Sequence, residues 1–151
     1  MERPITGGCL CGRIRFQSTS APIATRACWC RDCQYLAAGN ASINLIFNKN
    51  DLTVTGALQS YQSTADSGNT MQRSFCPHCG TPLFSESSGR SGLIVIRAGA
   101  FDDPGLGRPQ SFIWTDRAPT WGLIDESLRN HPRQSPAIPS PVDQPPPITS
   151  P

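Results

Sequence analysis

Polar and apolar residues alternate along much of the chain. Arg13-Ile14-Arg15-Phe16 alternates, as do Ala41–Phe47 (ASINLIF) and Leu52–Thr55. The second run stops at Asn48-Lys49-Asn50-Asp51 and the third at Gly56. A period of two sends successive side chains to opposite faces, so these runs predict half-buried strands. Gln59–Ser63, Thr70–Phe75, Leu83–Glu86, Gly92–Ala98 and Ser111–Thr115 are further strand candidates. Ser88-Gly89, Asp103-Pro104-Gly105 and Gly107 separate several of them. A helical pattern occurs at Arg31–Ala38, directly after a group of cysteines, and a second short helix is predicted at Asp125–Asn130. Many short strands with little helix predict a mainly β domain of small antiparallel sheets.

The C-terminal stretch Ser135–Pro151 contains seven prolines in 17 residues. Proline cannot donate to a ladder or continue a helix, so the segment predicts a disordered or polyproline-II tail. The expected organisation is one folded domain over 6–133 and a proline-rich tail over 134–151. Charged residues make up 16% of the chain, against a usual value of about 25%. Such a chain can bury a core, but a modest one. The net charge of +2, with no basic stripe interleaved with aromatics, argues against a nucleic-acid partner. Lys49 is the only lysine among 13 basic residues, and no function follows from that skew at this level. The longest strongly apolar run, Leu93–Ile96, is far short of the ~18 residues of a membrane span. The opening MERPITGGCL contains no apolar segment resembling a signal peptide, so a cytoplasmic protein without a membrane partner is expected.

The seven cysteines change the picture. An odd count in a reducing compartment argues against disulfides and for metal binding or catalysis. They fall into three groups: Cys9-Leu10-Cys11, Cys28-Trp29-Cys30-Arg31-Asp32-Cys33, and Cys76-Pro77-His78-Cys79. A CxxC turn brings two sulfurs onto one ion, and Gly80 follows Cys79 where such a turn can need positive φ. Thiolates in tetrahedral array select zinc or iron–sulfur, and the spacings match no usual iron–sulfur pattern. Four thiolates close a structural zinc site, whereas three leave a position open. Seven is four plus three, although spacing alone does not fix the partition, since the middle group could share ligands with either of the others. His78, between two cysteines of a turn, is expected on the surface, and Trp29 is expected to pack beside the metal. Asp32 is expected to face solvent. Arg13 and Arg15, on one strand face, could line a pocket for an anion.

Gly7-Gly8-Cys9-Leu10-Cys11-Gly12-Arg13-Ile14-Arg15-Phe16 resembles the opening GGCxCGxVRY of the glutathione-dependent formaldehyde-activating enzyme (GFA) family. Cys28-Trp29-Cys30-Arg31-Asp32-Cys33 resembles its CHCxxCR element, and Phe75–Leu83 its FCxxCGTxL element. Ile113-Trp114 and Ala118-Pro119-Thr120-Trp121 resemble its closing segment. The resemblance implies a β-tent (Mss4-like) fold with two zinc positions. It implies that Cys9, Cys11, Cys76 and Cys79 hold a structural zinc, and that Cys28, Cys30 and Cys33 hold a second, open and labile one. The sequence departs from the family pattern at Trp29 and Phe112, where His is usual or common, and at Gln34, where Arg is usual.

The implied activity is that of a zinc-dependent carbon–sulfur lyase. A small-molecule thiol and an aldehyde would join, or their S-hydroxymethyl adduct would be cleaved, at the three-cysteine site, with Cys28, Cys30 and Cys33 as the catalytic set. The competing expectation is a non-catalytic zinc scaffold that binds a protein partner. A thioredoxin-type oxidoreductase is disfavoured, because no βαβ pattern surrounds Cys76 and Cys79.

Overall fold

The computed structural model describes residues 3–65 and 67–135. The expected proline-rich tail therefore lies, from 136 onward, outside the described residues. Among these residues there are eleven strands and one short α-helix. A small antiparallel sheet has the order β1-β2-β5, where β1 is Ile5–Gly8, β2 is Arg15–Ser18 and β5 is Leu52–Thr55. The large sheet has the order β11-β10-β3-β4-β9-β8-β7-β6. Its strands are β3 (Ala24–Cys28), β4 (Ser42–Asn48), β6 (Gln59–Thr64), β7 (Thr70–Phe75), β8 (Pro82–Ser87), β9 (Leu93–Arg97), β10 (Ser111–Ile113) and β11 (Arg129–Asn130). β10 runs parallel to both β3 and β11, while the other pairings are antiparallel. The mainly β expectation holds, but one of the sheets is large and mixed.

Two strands carry no alternating pattern in the sequence. β1 contains Gly7 and Gly8 because neighbouring backbone lies against it. A Cβ on Gly7 would stand 2.2 Å from the Ala100 carbonyl oxygen and 2.4 Å from Phe16 Cζ. β3 is buried at every residue. It lies between β10 and β4, and its polar residues Thr25 and Arg26 are buried along with its apolar ones, so no clean alternation marks it. The helix expected at Asp125–Asn130 does not form. The Asp125 carboxylate accepts from the Ser127 amide (2.9 Å) and hydroxyl (2.6 Å), which caps a turn, and Arg129 and Asn130 then join β10. His131-Pro132 follows and blocks further helical turns.

The register of the large sheet decides what each face does. Leu45, Phe47, Phe84, Ile94 and Ile96 are buried in the main core with Ile14 and Phe16 of the small-sheet side. Phe16 meets Phe84 and Phe101 edge-on at 5.6 and 5.3 Å, and Phe47 stacks on Phe101 at 5.8 Å. The intervening residues turn the other way. Asn44 pairs with Arg26 and Arg97, Ile46 with Val95, Val95 with Ser85, and Ser85 with Arg73. That second face is largely polar.

Candidate metal centres and the cavity beside them

Two chain reversals build the first centre. Between β1 and β2, the Cys9 amide donates to the Ile14 carbonyl (3.1 Å) and the Gly12 amide to the Cys9 carbonyl (3.0 Å). Between β7 and β8, the Cys76 amide donates to the Thr81 carbonyl (3.1 Å) and the Gly80 amide to the Cys76 carbonyl (2.8 Å). Gly12 and Gly80 have φ of +79° and +76°, which explains a glycine after the second cysteine of each pair. The Sγ atoms of Cys9, Cys11, Cys76 and Cys79 lie within 4.8 Å of one another. Cys9 and Cys11 sulfurs are 3.5 Å apart, and those of Cys11 and Cys76 are 3.8 Å apart. Tetrahedral zinc–sulfur bonds of about 2.3 Å require sulfurs about 3.8 Å apart, so this donor set fits zinc.

Thr81 ties the two turns together. Its hydroxyl lies 3.1 Å from Cys79 Sγ and accepts from the Leu10 amide at 3.1 Å. The Thr81 hydroxyl and amide hold the Cys79 thiol down to about 5. Burial opposes ionisation of Cys9, but the Ile14 amide at 3.2 Å and the Cys11 and Cys76 thiols outweigh it and lower its pKa. Cys11 rises to about 11; its hydrogen bond with the Arg13 backbone works against that rise, while desolvation and its three cysteine neighbours drive it. His78 is exposed on the turn, as expected.

The second centre is local. Cys28 ends β3, Cys30 caps helix α1 (Arg31–Leu36), and Cys33 lies in its first turn. The three sulfurs also lie within 4.8 Å of one another and could hold an ion. The Cys33 amide donates to Cys30 Sγ at 3.4 Å, and Asn44 Nδ2 donates to Cys33 Sγ at 3.9 Å. Hydrogen bonds from the Cys28 and Cys30 thiols, with help from the Arg97 charge, hold Cys33 at about 3, as a thiolate. Donating to Cys30 and Cys33, together with burial, pushes the Cys28 thiol up. Cys30 also rises: its bond with Cys28 lowers it, but the Cys33 thiolate and burial prevail. The four-plus-three grouping thus recurs in space, and all seven cysteines are free.

The three-cysteine centre opens onto a cavity of about 730 Å³ on the polar face of the large sheet. Arg26, Arg31, Arg73, Arg90, Arg97 and Arg117 all line it. Asp32 is the one acid among the described lining residues, and its carboxylate is 3.1 Å from Arg73. Arg97 donates to Ser42 and Ser85, each at 3.2 Å, and to Asn44. Burial lowers the pKa of Arg26, as does the neighbouring charge of Arg90. Arg13 and Arg15 lie elsewhere, and Arg15 forms a fork with Asp102. The sequence offered no pattern for these six arginines, because they come from β3, α1, β7, a turn, β9 and the segment after β10. Their only trace was the excess of arginine over lysine.

The three departures from the family pattern do not line the cavity. Trp29 and Phe112 are buried together in a second apolar cluster, where Trp121 meets Trp29 edge-on at 6.2 Å. Gln34 is buried and donates to the Trp29 and Arg117 carbonyls at 2.7 and 3.1 Å.

Fold and sites together define a mainly β domain with a four-cysteine centre bracing its two sheets and a three-cysteine centre facing a cavity. The family model for the glutathione-dependent formaldehyde-activating enzyme matches residues 4–117, and the chain belongs to that family. A crystal structure of a Rhodobacter sphaeroides protein is similar in fold, with a TM-score of 0.54 and 21% identity. The likeness covers 69% of this chain and 96% of that one. No curated protein matches the chain. Among the described residues no helix is long and apolar enough to cross a membrane.

Proposed function

We propose that the protein is a zinc-dependent carbon–sulfur lyase that forms or cleaves the adduct of a small-molecule thiol with an aldehyde. The observation that most supports this reading is the three-cysteine centre at a cavity wall. A centre that only braces a fold needs four protein ligands, whereas three leave room for a substrate atom. Cys28, Cys30 and Cys33 would hold the zinc, which would supply a Lewis-acid position favouring the thiolate form of a substrate thiol.

The chain's own groups prepare that position. Cys33 is held ionised by two thiol neighbours, and the Arg97 charge favours that state. Asn44 is placed to orient the Cys33 sulfur. In the reaction the substrate sulfur forms a bond to the carbonyl carbon, the π pair moves to oxygen, and that oxygen takes up the proton the thiol lost. The reverse step breaks the carbon–sulfur bond. A cytoplasmic setting, where thiols stay reduced, suits seven free cysteines.

The test is metal analysis together with NMR detection of the hydroxymethyl adduct, using wild-type and Cys33→Ser proteins. Two zincs in the wild type, one of them labile, and loss of both that zinc and the adduct in the variant are expected. A variant with full activity and two zincs would refute the reading. A wild type with one tightly held zinc would favour the scaffold instead.

A further inference from the structure

The cavity holds more positive charge than its cysteines call for. Among the described lining residues, six arginines face it against the carboxylate of Asp32, already paired with Arg73. Three cysteines around a divalent ion bring a net charge of only −1, so the excess survives metal binding. The arginines stand at different depths: Arg26 is buried, Arg73 and Arg97 are half-buried, and Arg31, Arg90 and Arg117 are exposed. The side-chain hydrogen bonds of Arg97 go to neutral oxygens of Ser42, Asn44 and Ser85, and the negative charge beside it is the Cys33 thiolate, which belongs to the metal centre. Arg90 stands near enough to Arg26 for the two charges to repel. A bound anion offsets that repulsion and the excess of arginines along the described walls.

The number and spread of the arginines decide which anion. A carboxylate carries one charge and is satisfied by one guanidinium fork. A phosphate monoester carries about −1.5 to −2 charge and three acceptor oxygens, so it takes several forks from different walls at once. At about 730 Å³, the cavity is large enough for both a phosphate group and a thiol arm. We propose that the cavity takes a phosphorylated thiol, with its sulfur at Cys28, Cys30 and Cys33 and its phosphate among the arginines. The sulfur end rests on the lyase reading; the phosphate end rests on the cavity alone.

The test compares phosphopantetheine, pantetheine and glutathione as probes of the zinc-loaded full chain, with affinity read by calorimetry and adduct formation with formaldehyde read by NMR. Phosphopantetheine should bind at least tenfold more tightly than pantetheine. Arg90→Gln and Arg117→Gln, both at exposed positions, should each reduce that ratio severalfold. Cys33→Ser should leave the ratio in place while removing the adduct. Equal affinity for the two pantetheines overturns the proposal, as does tighter binding of glutathione. An adduct formed equally well on both pantetheines would leave the lyase reading standing and remove the phosphate from it. Phosphate-dependent binding with no adduct would do the opposite.

Discussion

Stripping the metal should separate the two cysteine centres, because only one of them joins distant parts of the chain. Cys9 and Cys11 follow β1 and precede β2, while Cys76 and Cys79 sit between β7 and β8, and Cys11 and Cys76 are 65 positions apart in the chain. An ion at this centre would clamp the small sheet to the large one beside the phenylalanine core, which Cys9 and Cys76 also touch. Structural zinc contributes an apparent ~10–16 kcal/mol in small domains. The whole net stability of a domain is about 5–15 kcal/mol. The ion's contribution is thus as large as the margin it supports, and its loss should unfold the domain. Cys76→Ser removes one of the four thiols of this centre, itself only 1% exposed, and should give a protein with no cooperative melt. Cys33→Ser leaves the clamp in place and should keep its melt while losing one zinc. Circular dichroism melts with metal content measured on the same samples decide this. A native thermal transition surviving complete removal of zinc would show that the core suffices and that the clamp argument is wrong.

Three further outcomes follow from the packing and the charges. Phe101→Ala removes the ring that meets Phe16 at 5.3 Å and Phe47 at 5.8 Å, and should cost about 3–5 kcal/mol, read as a fall in Tm on the order of 10 °C or more. Gly7→Ala forces a methyl to within 2.2 Å of the Ala100 carbonyl oxygen and should cost about 1–3 kcal/mol; an unchanged denaturant midpoint would contradict the close approach of β1. Asp102 is held at about 2, below its usual 3.8, by the Arg15 fork and the Thr6 hydroxyl. A lowered folded pKa means that its stabilisation is present above pH 3.8 and is lost as pH falls toward 2. The pair is about half exposed, so the effect is under about 1 kcal/mol, and Asp102→Asn should flatten that part of the acid limb.

How much of the molecule could be read from its sequence depended on whether the responsible force was local. β5 and β7 fall on the expected residues, and β4 within one residue of its expected end, because side-chain alternation and turn residues are local signals. β1 and β3 were hidden, the first by glycines that a neighbouring backbone demands and the second by burial on both faces. The helix expected at Asp125–Asn130 lost to a side-chain cap on a turn, which competes for the same backbone groups. The cysteine spacings were legible because each ligand group is nearly contiguous. The cationic cavity was not, since only the strand order brings Arg26, Arg73 and Arg97 onto one face. Arg13 and Arg15 gave a plausible local pattern and belong to the opposite side of the argument, with Arg15 committed to Asp102.

The departures from the family pattern bear on the same point. Taken singly, Trp29, Gln34 and Phe112 suggest a site that has lost polar groups. In the structure they form one buried arrangement. Trp29 is 1% exposed and packs with Phe112, and Gln34 donates to the Trp29 carbonyl from the first turns of α1. A histidine at either aromatic position would bring ring nitrogens into an apolar cluster in which the Trp29 indole N–H already has no partner among the described residues. The aromatic pair is thus mutually consistent, and reverting one member alone should destabilise more than reverting both together with Gln34. These positions flank the cysteine centre without facing the cavity, so they set how the Cys28–Cys33 segment is held. On the proposal made above, what the centre receives is decided across the sheet, by the arginine face that these substitutions leave untouched.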